Sequence, residues 1–309
     1  MELQRRLEPP RDASQAFVAT IGGFDGIHLG HQELLRRTRE SAEASGCRSV
    51  VVSFEPLPRE YFAKAAPPGR LTSFRERWRC LAARGIDVFC VLGFNSRLQN
   101  QTASEFAAAL VGSGIRHVVV GHDFKAGKGG EGDVEFLTRA GRRLGFEVEV
   151  VEPVCVAGER VSSRAVREAL AIADLARAAR LLGRRYAMRG RVVRGEQLGR
   201  TLGFPTANLR LGRRRSPLGG IFAVRVNGVQ AGRAIDGVAS LGTRPTVGGV
   251  VPLLETHLFD FSGDLYGREI EVEFIARLRE ELRFASVDEM VERMHRDARD
   301  ACEALAIAS

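Results

Sequence analysis

Residues 17–31 read Phe-Val-Ala-Thr-Ile-Gly-Gly-Phe-Asp-Gly-Ile-His-Leu-Gly-His, and this stretch decides the fold of the first half of the chain. The apolar and β-branched run at 17–21 is a strand, the glycines at 22, 23 and 26 make a turn, and His28 and His31 stand one turn apart where a helix opens. Strand, glycine turn and helix in that order make a nucleotide site. Glycines let the backbone approach phosphates, and the first helical turn offers N–H groups and the positive end of the helix dipole. Two imidazoles placed there can donate to phosphoryl oxygens as negative charge builds during attack at an α-phosphate. A single histidine in such a place ordinarily caps or packs; the pair in this setting points to chemistry.

Outward from this stretch, β-rich runs at 49–54, 87–92, 117–120 and 147–151 alternate with helical patterns at 34–44, 74–83, 104–111 and 134–144. Alternating β and α predicts a parallel sheet with helices on both faces, in which ligands bind beyond the strand C-termini. Residues 162–183 predict helical structure that breaks and restarts at Ala173-Asp174, closing the first domain. After Gly183 the texture changes to short β-rich runs at about 185–194, 221–226, 234–241, 253–259 and 270–277, separated by glycine turns. That pattern predicts a small antiparallel barrel, and the amphipathic stretch from about 287 to 305 a last helix packed on it. The expected domains are 1–183 and 184–309.

Composition fits two globular domains: 309 residues, 44% hydrophobic and 27% charged. No run approaches the ~18 uncharged apolar residues of a membrane helix, and no apolar leader precedes the first strand, so no membrane is expected and a cytoplasmic address follows. Cys47, Cys80, Cys90, Cys155 and Cys302 form no C-x-x-C pair, which argues against a disulfide framework and a zinc site. The net charge of +8 suits either a nucleic-acid binder or an enzyme of nucleotides. Only Lys64, Lys125 and Lys128 are lysines among 46 basic residues, so arginine is the default cation here, and Arg213, Arg214 and Arg215 read as a solvated loop. No nucleic-acid partner is expected, and the sequence leaves the oligomeric state open.

The second half carries its own glycine-rich stretch, Gly190-Arg-Val-Val-Arg-Gly-Glu-Gln-Leu-Gly-Arg-Thr-Leu-Gly-Phe-Pro-Thr-Ala-Asn208. Such a loop can wrap a triphosphate. Thr206 and Asn208, two apart on an extended segment, face one side and can present two oxygens to Mg²⁺, a hard cation that prefers oxygen ligands. Pro205 fixes the approach and offers no N–H.

His-x-Gly-His resembles the signature of the nucleotidyltransferase superfamily. The wider run of GGFDGIHLGH, FEPLP at 54–58, RLTSFRERW at 70–78, VVVGHDFKAGKGGEGD at 118–133 and RVSSRAVREAL at 160–170 resembles the N-terminal domain of prokaryotic bifunctional riboflavin kinase/FAD synthetases. GEQLGRTLGFPTAN, GGIFAV at 219–224, SLGTRPTVGG at 240–249, LETHLFDF at 254–261, DLYGREIEVEF at 264–274 and RLREELRF at 277–284 resemble the riboflavin kinase domain. Only the first dozen residues lie outside the likeness. It implies an α/β fold: a Rossmann-like nucleotidyltransferase domain with a parallel sheet, then an antiparallel β-barrel kinase domain with a C-terminal helix. Riboflavin would be phosphorylated to FMN and FMN adenylylated to FAD, with ATP as co-substrate, Mg²⁺ as cofactor, and riboflavin, FMN, FAD and ATP as the partners.

By the same likeness, the ATP site of the first domain comprises His28 and His31 with Gly22, Phe24, Asp25, Gly30, Arg160, Ser162, Ser163 and Arg167, while Asp123, Phe124, Lys125 and Lys128 line the flavin and phosphate region. In the second domain Gly195, Gly199, Arg200, Thr201, Gly203 and Pro205 bind ATP, Thr206 and Asn208 hold the metal, and Glu255 is the general base. Gly23, Leu57, Ala126 and Arg164 depart from the asparagine, polar residue, phenylalanine and hydroxyl residue usual at those places, and Ser240 stands where asparagine is usual. The first four motivate a second reading, a monofunctional riboflavin kinase with a degenerate adenylyltransferase domain. A tRNA synthetase is excluded by the lack of a Lys-Met-Ser-Lys-Ser-like loop.

Overall fold

A computed structural model describes residues 1–10, 12, 15–63, 66–195, 199, 202–213, 215–246 and 249–308, the side chains at 244–246 and 249–251 excepted. Contacts divide the chain into two compact units, Met1–Pro68 with Arg75–Ser162, and Gly69–Phe74 with Ser163–Ser309.

The first unit is built on a six-stranded parallel sheet. Its strands are β1 (Glu2–Gln4), β2 (Phe17–Ile21), β3 (Arg48–Glu55), β4 (Val88–Gly93), β5 (Ile115–Gly121) and β6 (Glu147–Val151), in the order β1-β4-β3-β2-β5-β6. β2, β3 and β4 are near-continuous apolar runs because both faces are covered. On one face α1 (Leu29–Ala44) packs against Val18 and Val119 through Leu34 and Ala42; on the other α5 (Ala103–Gly112) and α6 (Val134–Leu144) bring Phe106, Leu110 and Leu137 onto Ala19, Val50 and Val118. Strand order reverses at β2, since the chain runs outward through β3 and β4 and then resumes on the other side with β5. The loops that follow β2 and β5 therefore leave the sheet at the switch point, where doubly wound sheets bind ligands.

Shorter elements complete this unit: α2 (Pro58–Tyr61), α3 (Phe74–Ala82), which starts at the last residue of the second unit's inserted segment, α4 (Ser96–Asn100), and a hairpin of β7 (Cys155–Val156) and β8 (Glu159–Arg160). Ala157 and Gly158, both at positive φ, turn that hairpin.

In the second unit, α7 (Ser163–Ala171) and α8 (Leu175–Leu182) pack together ahead of a closed barrel. The barrel strands are β9 (Ala187–Val193), β10 (Thr206–Arg210), β11 (Gly220–Gln230), β12 (Arg233–Thr246), β13 (Gly249–Leu258) and β14 (Glu269–Arg279), closing in the order β10-β13-β12-β11-β14-β9. Met188, Phe222, Val224, Leu254, Val272 and Phe274 are fully buried within it. A final helix, α9 (Val287–Ile307), packs Ala301 and Leu305 onto Ala223. Asp297 clamps it: Arg279 Nε donates to Oδ1 at 2.8 Å and Arg279 Nη2 to Oδ2 at 2.6 Å, with Arg293 on Oδ1 at 3.0 Å.

The architecture agrees with the pattern read from the sequence, and the differences have local causes. Helix α1 opens at Leu29, five residues before its apolar periodicity begins, because His28 supplies the cap. Ala173 at φ 56° and the Asp174 side chain, which accepts from the Arg177 N–H at 2.9 Å, make the break between α7 and α8. β1 is three residues with no strand-like run, held at the sheet edge by pairing with β4 and by Glu2 N–H to Asp87 O at 2.7 Å. Arg213 is not a solvated loop residue: it is 5% exposed, because main-chain carbonyls take its N–H groups. Arg214 and Lys64 lie outside the described residues.

Two candidate active sites

The turn after β2 is tightly built. Gly22 N–H donates to Val52 O at 3.0 Å, Gly26 takes φ 88°, and Phe24 and Ile27 adopt φ 48° and 45°, conformations uncommon for residues with side chains. Phe24 and Ile27 are fully buried, which holds them there. Asp25 is 1% exposed and ion-paired with Arg59 on α2. His28 caps α1: its Nδ1 accepts from the His31 N–H at 3.3 Å. An accepting Nδ1 places the ring proton of a neutral His28 on Nε2, making that nitrogen a donor. The two imidazoles stack with centroids 3.7 Å apart, and Phe24 lies 4.9 Å from His31. Gly30 explains the glycine between them: a Cβ there would stand 3.3 Å from the His28 ring and 3.7 Å from Val161 O. The turn and residue 161 are thus neighbours, and Ser162 follows directly.

The loop after β5 flanks the same switch point. Ala126 and Gly132 exchange backbone hydrogen bonds, and Glu131 accepts from Ala103 N–H at 2.9 Å. Phe124 packs against the core, whereas Asp123, Lys125 and Lys128 are exposed. Arg160 on β8 reaches Asp123 at 2.5 Å, joining hairpin to loop. Ser163 and Arg167 lie on α7, in the second unit, and Arg167 Nε donates to Gly69 O at 2.9 Å.

The barrel site is set by strand register. Asn208 pairs with Glu255 and Thr206 with His257 across β10 and β13, while Ser240 on β12 pairs with Glu255 from the other side. Because side chains alternate, these residues share one face. Thr206, Ser240, Glu255 and His257 line a cavity of about 310 Å³ that Met290, Met294 and Asp297 of α9 also line. Gly195 lies over Asn208: a Cβ there would stand 2.6 Å from the carboxamide carbon. Gly199 and Phe204 join the lining, Gly203 takes φ 82°, and Pro205 O receives His257 Nδ1 at 2.9 Å. Arg200 and Thr201 lie outside the described residues.

Sequence reasoning missed several residues that build these sites. Arg77, fully buried, donates from Nη1 to Gly23 O at 3.1 Å and to Ser53 Oγ at 3.2 Å, and pairs with Glu55. Arg59, His257, Arg279 and Asp297 escaped as well. Arginine is so common in this chain that no single one stands out, and the groups that Arg77 meets on Gly23, Ser53 and Glu55 are remote in sequence.

Comparison with known proteins assigns each half of the chain to a family. Residues 11–165 match the FAD synthetase family and residues 182–305 the riboflavin kinase family. The chain is 46% identical to a bifunctional riboflavin kinase/FMN adenylyltransferase of Pseudomonas fluorescens, over 100% of this chain and 99% of that protein. Its identity to the protein of the same name from Haemophilus influenzae is 41%, over 97% and 98% of the two. A solved structure described as a macrolide-efflux protein from Streptococcus pneumoniae superposes with TM-score 0.79 at 31% identity, covering 96% of each chain. Among the described residues no helix is long and apolar enough to cross a membrane. With both halves matched and relatives aligned end to end, the chain belongs to the bifunctional riboflavin kinase/FMN adenylyltransferase family.

Proposed function

We propose that the two units run consecutive reactions. The barrel unit transfers the γ-phosphoryl group of ATP to the ribityl 5′-hydroxyl of riboflavin, giving FMN and ADP. The sheet unit joins the FMN phosphate to the α-phosphorus of a second ATP, giving FAD and pyrophosphate. The observation that carries this reading is the presence in one chain of both constructions: stacked His28 and His31 at the sheet's switch point, and Thr206, Asn208 and Glu255 on one barrel face. The monofunctional reading loses its ground, since relatives named for both activities match the chain throughout.

In the barrel, Glu255 takes the proton of the ribityl hydroxyl as it attacks. The cavity beneath α9 receives the flavin, and Gly195, Gly199, Arg200, Thr201, Gly203 and Pro205 wrap the triphosphate. The Thr206 hydroxyl and Asn208 carboxamide are hard oxygen donors that suit Mg²⁺. Among the described residues no group of three acidic, histidine or cysteine side chains could hold a metal alone. The remaining ligands then come from phosphate and water, as is usual for this ion. Bound there, it supplies charge neutralisation for phosphoryl transfer.

In the sheet unit, His28 and His31 donate to phosphate oxygens of ATP, with Gly22, Phe24, Asp25 and Gly30 shaping the turn and Arg160 and Ser162 completing the nucleotide site. Asp123, Phe124, Lys125 and Lys128 line the flavin and phosphate side. We assign residues 1–183 to adenylyl transfer and 184–309 to phosphoryl transfer, and a cytoplasmic address supported by five free cysteines.

The test is a chromatographic time course with riboflavin, ATP and Mg²⁺. FMN followed by FAD is expected; FMN alone would restore the monofunctional reading.

A further inference from the structure

Residues 69–74 come from the first half of the sequence yet belong to the compact unit of the barrel. Hydrogen bonds to their carbonyl groups hold them there. Arg167 Nε donates to Gly69 O at 2.9 Å, Arg213 Nη1 to Arg70 O at 3.3 Å and Leu71 O at 3.1 Å, and the Tyr186 hydroxyl to Leu71 O at 3.2 Å. Arg213 Nη1 also donates to the Tyr186 oxygen at 3.0 Å. Leu71 is fully buried, and Thr72, Ser73 and Arg213 are each 5% exposed. Gly69 lies flat on the barrel unit's backbone, since a Cβ there would stand 2.5 Å from Pro217 N. Burying a guanidinium is costly unless its N–H groups find acceptors. Here the acceptors are the main chain of this strap, so Arg213 and the strap fix one another.

Downstream, the strap runs straight into α3. Arg77 lies only four positions after Ser73, about one helical turn. Arg77 holds the Gly23 carbonyl, five residues before His28. Upstream, Arg213 follows by three residues the strand β10 that carries Thr206 and Asn208. A short run of covalent and hydrogen bonds therefore leads from the barrel face to the histidine turn.

We propose that Arg213 is a positioning residue for adenylyl transfer, acting through the 69–74 strap on Arg77 and so on the Gly23 carbonyl that sets the histidine turn. The inference rests on the reading of that turn as the adenylyl site. It gives an arginine of the barrel unit an effect on the reaction of the other unit. A merely structural role would produce the opposite order, striking first the barrel reaction whose strand Arg213 follows.

The test compares full-length Arg213→Met and Tyr186→Phe with the parent protein in two separate assays, FMN from riboflavin and FAD from supplied FMN. A third readout is the emission of Trp78, the sole tryptophan, which follows Arg77 on α3. In Arg213→Met, kcat for FAD formation falls at least tenfold while FMN formation stays within twofold, and Trp78 emission shifts in the absence of flavin. Tyr186→Phe moves the same quantities in the same direction by less, and it decides by the same ordering if Arg213→Met does not fold. Equal losses in the two reactions, a larger loss of FMN formation, or unchanged FAD formation overturns the proposal. A parent protein that makes no FAD would sink the reading of the turn instead; unchanged Trp78 emission in both variants would then overturn the coupling by itself.

Discussion

Gly23 and Leu57 lie against each other: a Cβ on Gly23 would stand 3.6 Å from Leu57 Cδ2, and Leu57 is 2% exposed. Both positions depart from the residues usual in the family, and the contact makes them one change rather than two, an apolar side chain filling space beside a residue that has none. Of the other two departures, Arg164 pairs with Glu168 one turn along α7 at 2.7 Å, its side chain 87% exposed, and Ala126 is bridged to Gly132.

The coupling between Gly23 and Leu57 is measurable. Gly23→Asn grows a side chain into Leu57 and destabilises the protein by about 1–3 kcal/mol through overpacking. Leu57→Ala alone costs about 2–5 kcal/mol. The double variant is more stable than the sum of the two predicts, as residues in contact should be. Denaturant unfolding of all four proteins checks it; additive costs would mean that the two do not share space.

Separate sites predict separable losses. Glu255→Gln removes the proposed base and lowers FMN formation by about 10²–10⁴-fold while sparing FAD formation from supplied FMN. His31→Ala lowers FAD formation by about 10²–10³-fold and spares FMN formation. Parallel loss of both activities in either variant contradicts the assignment.

At Gly195 the prediction is steric. An added methyl group would overlap the Asn208 carboxamide, whose carbon lies 2.6 Å from the Cβ position. Either the loop lifts or the carboxamide turns away, so Gly195→Ala reduces FMN formation at least tenfold and raises the Mg²⁺ concentration needed for half-maximal rate. An unchanged Mg²⁺ dependence would separate Gly195 from the metal.

The architecture was legible because it rests on local signals: continuous apolar strands beside helical periodicity in the first unit, alternating strands in the second. The histidine turn and the Thr206–Asn208 pair were legible because each is a short run with its own geometry. Glu255 was reached only through the family likeness, since nothing in a lone strand glutamate separates a base from a solvated side chain, and its place opposite Asn208 emerges only when β13 is laid against β10. Arg77, Arg213 and Asp297 stayed hidden for a related reason: their partners Gly23, Arg70 and Arg279 lie 18 to 143 residues away. Burial is decided by that remote partner and leaves no mark nearby.

Cysteine reactivity tests the core of the sheet. Cys90, in the middle of β4, is 1% exposed, and burial pushes its thiol up to about 12, so it stays protonated at neutral pH. Cys155 and Cys302 are exposed. A disulfide reagent at pH 8 labels Cys155 and Cys302 promptly and Cys90 only after unfolding, read by peptide mass analysis. Prompt native labelling of Cys90 would mean that β4 opens readily.

Asp297 links the stability of the barrel unit to the cavity proposed for the flavin. Its carboxylate, 5% exposed, faces two guanidinium groups, Arg279 and Arg293, and Met290 and Met294 on the same helix wall the cavity opposite Glu255. Asp297→Asn keeps the shape and removes the charge, leaving the Arg279 guanidinium, its side chain 13% exposed, without its carboxylate partner. Breaking such a pair costs about 3 kcal/mol, and the cost falls on the seating of α9 against β14. The methionine wall then loosens, so KM for riboflavin rises several-fold while kcat at saturation changes less, because Glu255, Thr206 and Asn208 sit on strands that α9 does not hold in register. FAD formation from supplied FMN is unaffected. Replacing Arg279 by Met in the same molecule removes the uncompensated charge and restores part of the stability without restoring KM, since the clamp is still missing. Recovery of KM along with stability would show that the charge balance, and not the clamp, shapes the cavity.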